Sequence, residues 1–260
     1  MYLAELRFRV IADTDLTQAE QAIRAYIEAL IFNGQVLGRE FPTAWQQDTF
    51  SSRVVLASQD ALTSKWHSNR VRYAEQQLTE AGLGYAQHTL LGADLMSQQT
   101  CETLPKSLIL FTSFADTCSP LRCAETLRPV PLFWLTAAED DFEALIRWQI
   151  QYQALDEIQL QEDRVLPKIA ENSLQQLHSK LNRRGRQLAQ QISRLNQLPI
   201  WYALYSGSSS DCQQDANKCC PGCGADWRLA TPRLEMFDFQ CDNCQLLSNI
   251  AWECQSKQAS

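Results

Sequence analysis

The sequence predicts an α+β chain in three parts: an α/β sandwich, a helical hairpin and a small cysteine-rich ribbon. Three observations carry this. Apolar residues near the N-terminus alternate at period two and then recur at helical spacing. From residue 138 onward the apolar pattern turns helical. Seven of the ten cysteines fall in the last 49 of the 260 residues.

The first strand is read over residues 2–10, where Tyr2, Ala4, Leu6, Phe8 and Val10 are apolar and Glu5, Arg7 and Arg9 stand between them. Thr17-x-x-Glu20 has the form of a capping box. Ala19, Ala22, Ile23, Tyr26, Ile27, Leu30 and Ile31 then mark one helical face, and Asn33-Gly34 stops it. Strands are expected at 36–45 and 50–57, a second helix at 60–81 closed by Gly82 and Gly84, and a fourth strand at 85–91. The order β-α-β-β-α-β is that of a ferredoxin-like sandwich. RNA-binding domains share that fold, but their aromatic strand signature is missing, so Tyr2, Leu6 and Phe8 are expected in the core. Residues 108–112 and 130–135 read as extra strands, joined by a loop holding Cys118 and Cys123.

A long helix is expected from Phe142 through Leu145, Ile146, Trp148, Gln149 and Tyr152 to about residue 163. Pro167 allows a break or a new start. Leu174, Leu177, Leu181, Leu188, Ile192 and Leu195 mark a second stripe, so two antiparallel helices are expected. Residues 200–205 suit a buried strand. Residues 206–218, polar and serine-rich, read as a flexible linker. The expected parts are an α+β domain at 1–136, the helical hairpin with its connecting strand at 137–205, the linker at 206–218 and the ribbon at 219–260.

The chemistry sits in the tail. Cys220-Pro-Gly-Cys223 is followed, after 17 residues, by Cys241-Asp-Asn-Cys244. Two C-x2-C turns at that interval are the pattern of a four-thiolate zinc site. Each turn aims two sulfurs at one point, and Gly224 allows a positive φ at the exit. The chain between must go out and back. Strands are expected at 226–229 and 235–240 with Thr231-Pro232 at the bend, and a third at 246–252. Four thiolates leave Zn2+ no open position, so one structural ion is expected. A tail of about 35 residues buries too little apolar surface to fold alone, and metal would supply its stability.

Other readings of the cysteines are weaker. A redox C-x2-C should open a helix within a β-α-β unit, and the H-x-E of zinc deaminases is absent. Cys219 is an alternative ligand to Cys220. Cys212 and Cys254 read as spectators, and Cys101, Cys118 and Cys123 as buried or spare thiols. Glu5, Arg7, Arg9 and Asp13 interrupt the first 15 residues, which excludes a signal-peptide core there. No apolar run approaches the roughly 18–20 residues of a membrane span. A cytoplasmic protein without a disulfide scaffold is expected.

The net charge is −7, but unevenly spread. Acids crowd residues 139–163, with Arg147 as the lone cation among Glu139, Asp140, Asp141, Glu143, Asp156, Glu157, Glu162 and Asp163. Residues 172–210 hold Lys180, Arg183, Arg184, Arg186 and Arg194 and no acid. This is either a strip for a phosphate backbone or a helix that faces acids or water. Trp201, Tyr202, Tyr205 and Trp227 lie close by for base stacking. Against this, the tail from residue 212 is itself acidic by sequence, with Lys218, Arg228, Arg233 and Lys257 set against six carboxylates. A protein partner is the alternative, with the ribbon as a docking knuckle presenting Trp227, Phe237, Phe239 or Leu247. His67 and His178 are expected exposed on helices and His88 on a strand. No Ser-His-Asp neighbourhood, H-E-x-x-H, Walker loop or G-x-G-x-x-G occurs, so a non-catalytic role is expected.

The run Cys220-Pro-Gly-Cys223-Gly-Ala-Asp-Trp227-Arg-Leu229, with Phe237-Asp-Phe-Gln-Cys241-Asp-Asn-Cys244 and Leu246-Leu-Ser-Asn249, resembles a bacterial domain-of-unknown-function family of zinc-ribbon-containing proteins. Leu198-Pro199 with Tyr202-Ala-Leu-Tyr205 resembles its tyrosine-rich segment. Ser119-Pro-Leu-Arg-Cys123 and Pro129-Val-Pro-Leu132 resemble a middle motif, and Trp148, Tyr152 and Asp156 a helix like the family's. The resemblance implies zinc and an association with nucleic acid. The segment Ile200-Trp201-Tyr202-Ala203 is less aromatic than the family's. Cys123 is followed by Ala124, Glu125 and Thr126 without the family's further cysteine, so a second metal site is not implied.

Overall fold

The computed structural model describes residues 1–161, 165–209 and 211–254. The expected helix end near residue 163, with Glu162 and Asp163, lies outside the described residues, as do Ser210 of the linker and the last six residues of the ribbon with Lys257. The chain forms two compact units. The first comprises residues 1–104, 117–119 and 128–143, and the second the remainder.

The first unit runs β1 (Tyr2–Arg9), α1 (Leu16–Phe32), β2 (Val36–Leu37), β3 (Thr43–Gln46), β4 (Thr49–Leu56), α2 (Asn69–Glu80) and β5 (Gln87–Ala93). Its antiparallel sheet has the order β2-β4-β1-β5, with β3 also on β4. Period-two alternation on β1 puts Ala4, Leu6 and Phe8 into a core shared with Ile23, Ile27 and Leu30 of α1 and Val71 and Leu78 of α2.

Four elements differ from the sequence reading, each for a local reason. Helix α1 begins at Leu16, because Asp15 caps it and accepts hydrogen bonds from the Thr17 and Gln18 amides at 2.9 Å. The strand expected at 36–45 is split into β2 and β3, and Pro42 in the break has no donor for a ladder. Helix α2 starts at Asn69 instead of residue 60. Its first amides, Asn69 and Arg70, donate to the distant Asp140 carboxylate at 3.0 and 2.6 Å. The strand expected at 130–135 is a 3-10 turn, Leu132–Trp134, since Pro129 and Pro131 at its start remove ladder donors.

The second unit runs β6 (Leu108–Leu110), β7 (Leu121–Cys123), α3 (Glu143–Gln159), α4 (Leu166–Gln175), α5 (Lys180–Asn196), β8 (Ile200–Leu204), α6 (Cys212–Ala216), β9 (Arg228–Arg233), β10 (Phe237–Cys241) and β11 (Leu246–Ser248). One six-stranded sheet joins them in the order β7-β6-β8-β11-β10-β9. Tyr202 of β8 packs on Trp148 of α3, 6.0 Å between ring centroids, and donates to the Asn182 Oδ1 of α5 at 2.6 Å. The loop after β6 is tied to α3: Gln153 donates to the Ser113 and Asp116 carbonyls at 3.1 and 2.6 Å, and Asp156 accepts from the Phe114 amide at 2.7 Å.

Three helices stand where two were expected. The second apolar stripe breaks between Gln175 and Lys180, and Leu195 at its end is exposed. Residues 206–218 are also more structured than a flexible linker. They contain α6, whose Asp215 accepts from the Ala251 amide at 2.7 Å. Lys218 donates to Ser206 Oγ, the Asp215 carboxylate and the Asn249 carbonyl at 2.9–3.0 Å. Polar composition here serves a partly buried hydrogen-bond network. The spectator cysteines, Cys212 and Cys254, form a disulfide.

Candidate metal centre

The first knuckle is a tight turn. The Cys220 amide donates to the Ala225 carbonyl at 2.9 Å, and the Gly224 amide returns to the Cys220 carbonyl at 2.8 Å. Gly224 takes φ +73°, as its place at the turn exit demands. Gly222 is required for a different reason: a Cβ there would stand 2.7 Å from the Cys244 sulfur. The two knuckles are thus closed onto one another.

The second knuckle is held by the sheet. β11 runs parallel to β8, with Leu246 opposite Tyr202 and Ser248 opposite Leu204. The Tyr202 amide donates to the Gln245 carbonyl at 2.8 Å. β10 and β9 join through a turn at Leu234-Glu235, both at positive φ. Thr231-Pro232, expected at the bend, lies instead in an irregular stretch of β9 between the pairs Arg228–Phe239 and Arg233–Phe237. Behind the first knuckle Trp227 stacks on Phe239, centroids 5.2 Å apart, and its Nε1 donates to the Lys218 carbonyl at 2.9 Å.

The sulfurs of Cys220, Cys223, Cys241 and Cys244 all lie within 4.8 Å of one another. Cys223 and Cys241 are 3.6 Å apart, sulfur to sulfur. A tetrahedral ion with bonds of about 2.3 Å spaces its sulfurs about 3.8 Å apart, so the four can hold one metal ion. Their protonation supports a cation. The Ala225 backbone and then the neighbouring sulfurs draw the Cys223 thiol down to about 7. Burial and the same crowding push Cys244 up to about 12 and raise Cys241. Four thiolates cannot coexist there without a positive centre, which deprotonates them on binding. Cys219 is exposed and outside the cluster. Among the described residues this is the one group of three or more His, Cys, Asp or Glu side chains placed to hold a metal.

The five basic residues divide. At 100° per residue, Lys180, Arg183, Arg184 and Arg194 share the exposed face of α5, opposite the buried Leu181, Gly185, Leu188 and Ile192. Arg186 falls on the flank, half-buried, and belongs less to the strip. None of the four exposed cations has a carboxylate within ion-pair distance among the described residues. Four of the acids expected as their partners are engaged elsewhere: Asp140 caps α2, Asp141 and Glu143 take Arg70 at 2.9 and 2.6 Å, and Asp156 accepts from the Phe114 amide.

The aromatic residues expected on the surface are not there. Tyr202 and Trp227 are buried, and Trp201 is half-covered with the Arg233 guanidinium 4.6 Å from its ring centroid. The docking side chains Trp227, Phe237, Phe239 and Leu247 are all buried in the sheet's packing. His67 is also buried, 3.3 Å from Glu75, while His88 and His178 are exposed.

An uncharacterised protein of Haemophilus influenzae is 32% identical over 263 residues, spanning 97% of this chain and 99% of that protein. The chain belongs to the family of this Haemophilus protein. A second uncharacterised Haemophilus influenzae member is 32% identical over 190 residues, 71% of this chain and 91% of its own. Three domains of unknown function match in succession: DUF8589 over residues 1–92, DUF2310 over 102–205 and DUF8594 over 209–254. In this family member DUF8594 thus contains the four-cysteine cluster, and DUF2310 contains α5. A Deinococcus radiodurans structure, solved as a candidate antibiotic biosynthesis monooxygenase, aligns with 36% of this chain and 93% of its own at 11% identity and a TM-score of 0.26. A likeness that slight says nothing about this family's chemistry. No described helix is long and apolar enough to cross a membrane.

Proposed function

We propose that this is a non-catalytic zinc-ribbon protein that associates with nucleic acid through α5, the metal serving to fold the second unit. The observation that carries the reading is the exposed face of α5: four cations, unpaired among the described residues, in a segment without acids, on a chain whose net charge is −7. Unpaired cations gathered on one helix face of an acidic protein suit a polyanion. The ribbon is left a structural role, since Trp227, Phe237 and Phe239 are turned inward.

Four thiolates in tetrahedral array suit zinc or an iron–sulfur centre. Sulfurs this close leave room for one ion and not a cluster, and zinc is the choice because two C-x2-C turns closing a four-thiolate site are its structural pattern. Elemental analysis of the purified chain should return one zinc per chain, and iron with visible absorbance would overturn that assignment. For nucleic acid the measurement is a salt titration. Four phosphate contacts predict a loss of about 100-fold in affinity between 50 and 200 mM salt. Binding indifferent to salt would mean that α5 is not the contact.

A further inference from the structure

The exposed face of α5 carries more than charge. Gln187, Gln190 and Gln191 share it with Lys180, Arg183, Arg184 and Arg194, all within an arc of about 120°, and all seven are exposed. The three amides have no hydrogen-bond partner among the described residues. Along the helix they lie between Arg184 and Arg194, with Gln190 at one edge of the arc. At 1.5 Å per residue, Lys180 and Arg194 are about 21 Å apart and Arg184 and Arg194 about 15 Å.

We propose that α5 is a major-groove helix for duplex DNA, with Lys180, Arg183, Arg184 and Arg194 on the phosphate walls and Gln187, Gln190 and Gln191 toward the base edges. This rests on the reading of α5 as a nucleic-acid surface and names its ligand. The major groove of B-DNA is about 12 Å wide and admits one helix. Arg183 and Arg184 are 100° apart round the helix and point toward opposite walls of such a groove. An amide is the side chain that pairs with adenine through N6 and N7, so the preferred site contains adenine. Duplex RNA has a major groove too narrow for side chains to read. A single strand needs exposed aromatic side chains to stack its bases. The α5 face has none, and Trp201, Tyr202 and Trp227 are half-covered or buried.

The helix also bears a cost that binding explains. Its first turn holds Lys180 and no acid, and a cation there opposes the helix dipole. A bound phosphate reverses that effect.

The test uses the full zinc-loaded chain and labelled probes of equal length: duplex DNA of mixed sequence, duplex RNA and single-stranded DNA, by fluorescence anisotropy at several salt concentrations. Duplex DNA should bind at least tenfold tighter than either other probe, with a log–log salt slope of about −3.6. R183A/R184A should reduce the slope by about 2. Q187A/Q191A should keep the slope and flatten the sequence preference selected from a random duplex library. K180A should weaken binding without lowering the melting temperature, which a structural lysine would not do. Equal or tighter binding of single strands or duplex RNA overturns the duplex-DNA assignment and leaves the nucleic-acid reading standing. No binding of any probe at 50 mM salt overturns both.

Discussion

Chelation of the metal, or Cys241→Ser, is expected to unfold far more than the ribbon. From spacing alone, the tail would melt by itself behind a flexible linker. The sheet says otherwise. β11 pairs with β8, and β8 with β6, so the strands that carry Cys241 and Leu246 are central to the second unit. Tyr202 is common to both sides of this arrangement: its amide holds Gln245 beside the second knuckle, and its ring packs on Trp148. Structural zinc in small peptides binds with about 10–16 kcal/mol of apparent free energy. A whole domain has about 5–15 kcal/mol of net stability. Removing the metal therefore takes away free energy comparable to the whole net stability of such a unit. Hydrogen exchange with and without chelator should show amides of β8, β10 and β11 losing protection together. Those of β1 and β4, which belong to a separate sheet and core, should keep theirs. Retained protection across β8 and β11 in metal-free protein would show that packing alone holds this sheet.

The cysteine cluster was legible because its chemistry constrains spacing: two tight turns and a strand pair between them can be counted along the chain. The alternating strand β1 and the buried face of α1 were legible for a similar reason, since period is a property of sequence. What the sequence concealed was partnership over distance. Asp140 caps a helix that begins at Asn69, and nothing near Asn69 reports it. Ser206, Asp215 and Lys218 look like linker residues until Asn249 and Ala251 are placed beside them. Cys212 and Cys254 have no local signature, and connectivity cannot be deduced from spacing. The turn at Leu234-Glu235 was hidden because two-residue turns with positive φ normally carry Asn or Gly, whereas Thr231-Pro232 is a stronger local turn signal. The basic strip was legible as composition. Its division, with Arg186 on the flank, needed the helix boundaries.

The second large effect is expected at Asn182. Leu174, Leu177 and Leu181 continue a helical period, and no glycine or proline interrupts them, so the sequence favours one unbroken helix through residues 174–195. The structure bends instead, with Gln176 extended and Ser179 capping α5 by accepting the Asn182 amide at 3.1 Å. The Asn182 side chain, fully buried, supplies what the broken helix end lacks. Its Nδ2 donates to the Leu174 and Gln176 carbonyls, both at 2.8 Å, and its Oδ1 accepts from the Tyr202 hydroxyl at 2.6 Å. Asn182→Ala strands those two carbonyls and that hydroxyl at about 1–3 kcal/mol each. A loss of about 4 kcal/mol is expected, or about 14 °C in melting temperature for a unit of this size. Tyr202→Phe removes only one of the bonds and should cost about 1.5 kcal/mol. The double variant should then lose less than the sum of the two, because the lost partner is shared. Strict additivity in that cycle would separate the bend in the helices from the sheet beneath it, and α5 would need some other means of holding its basic face in place.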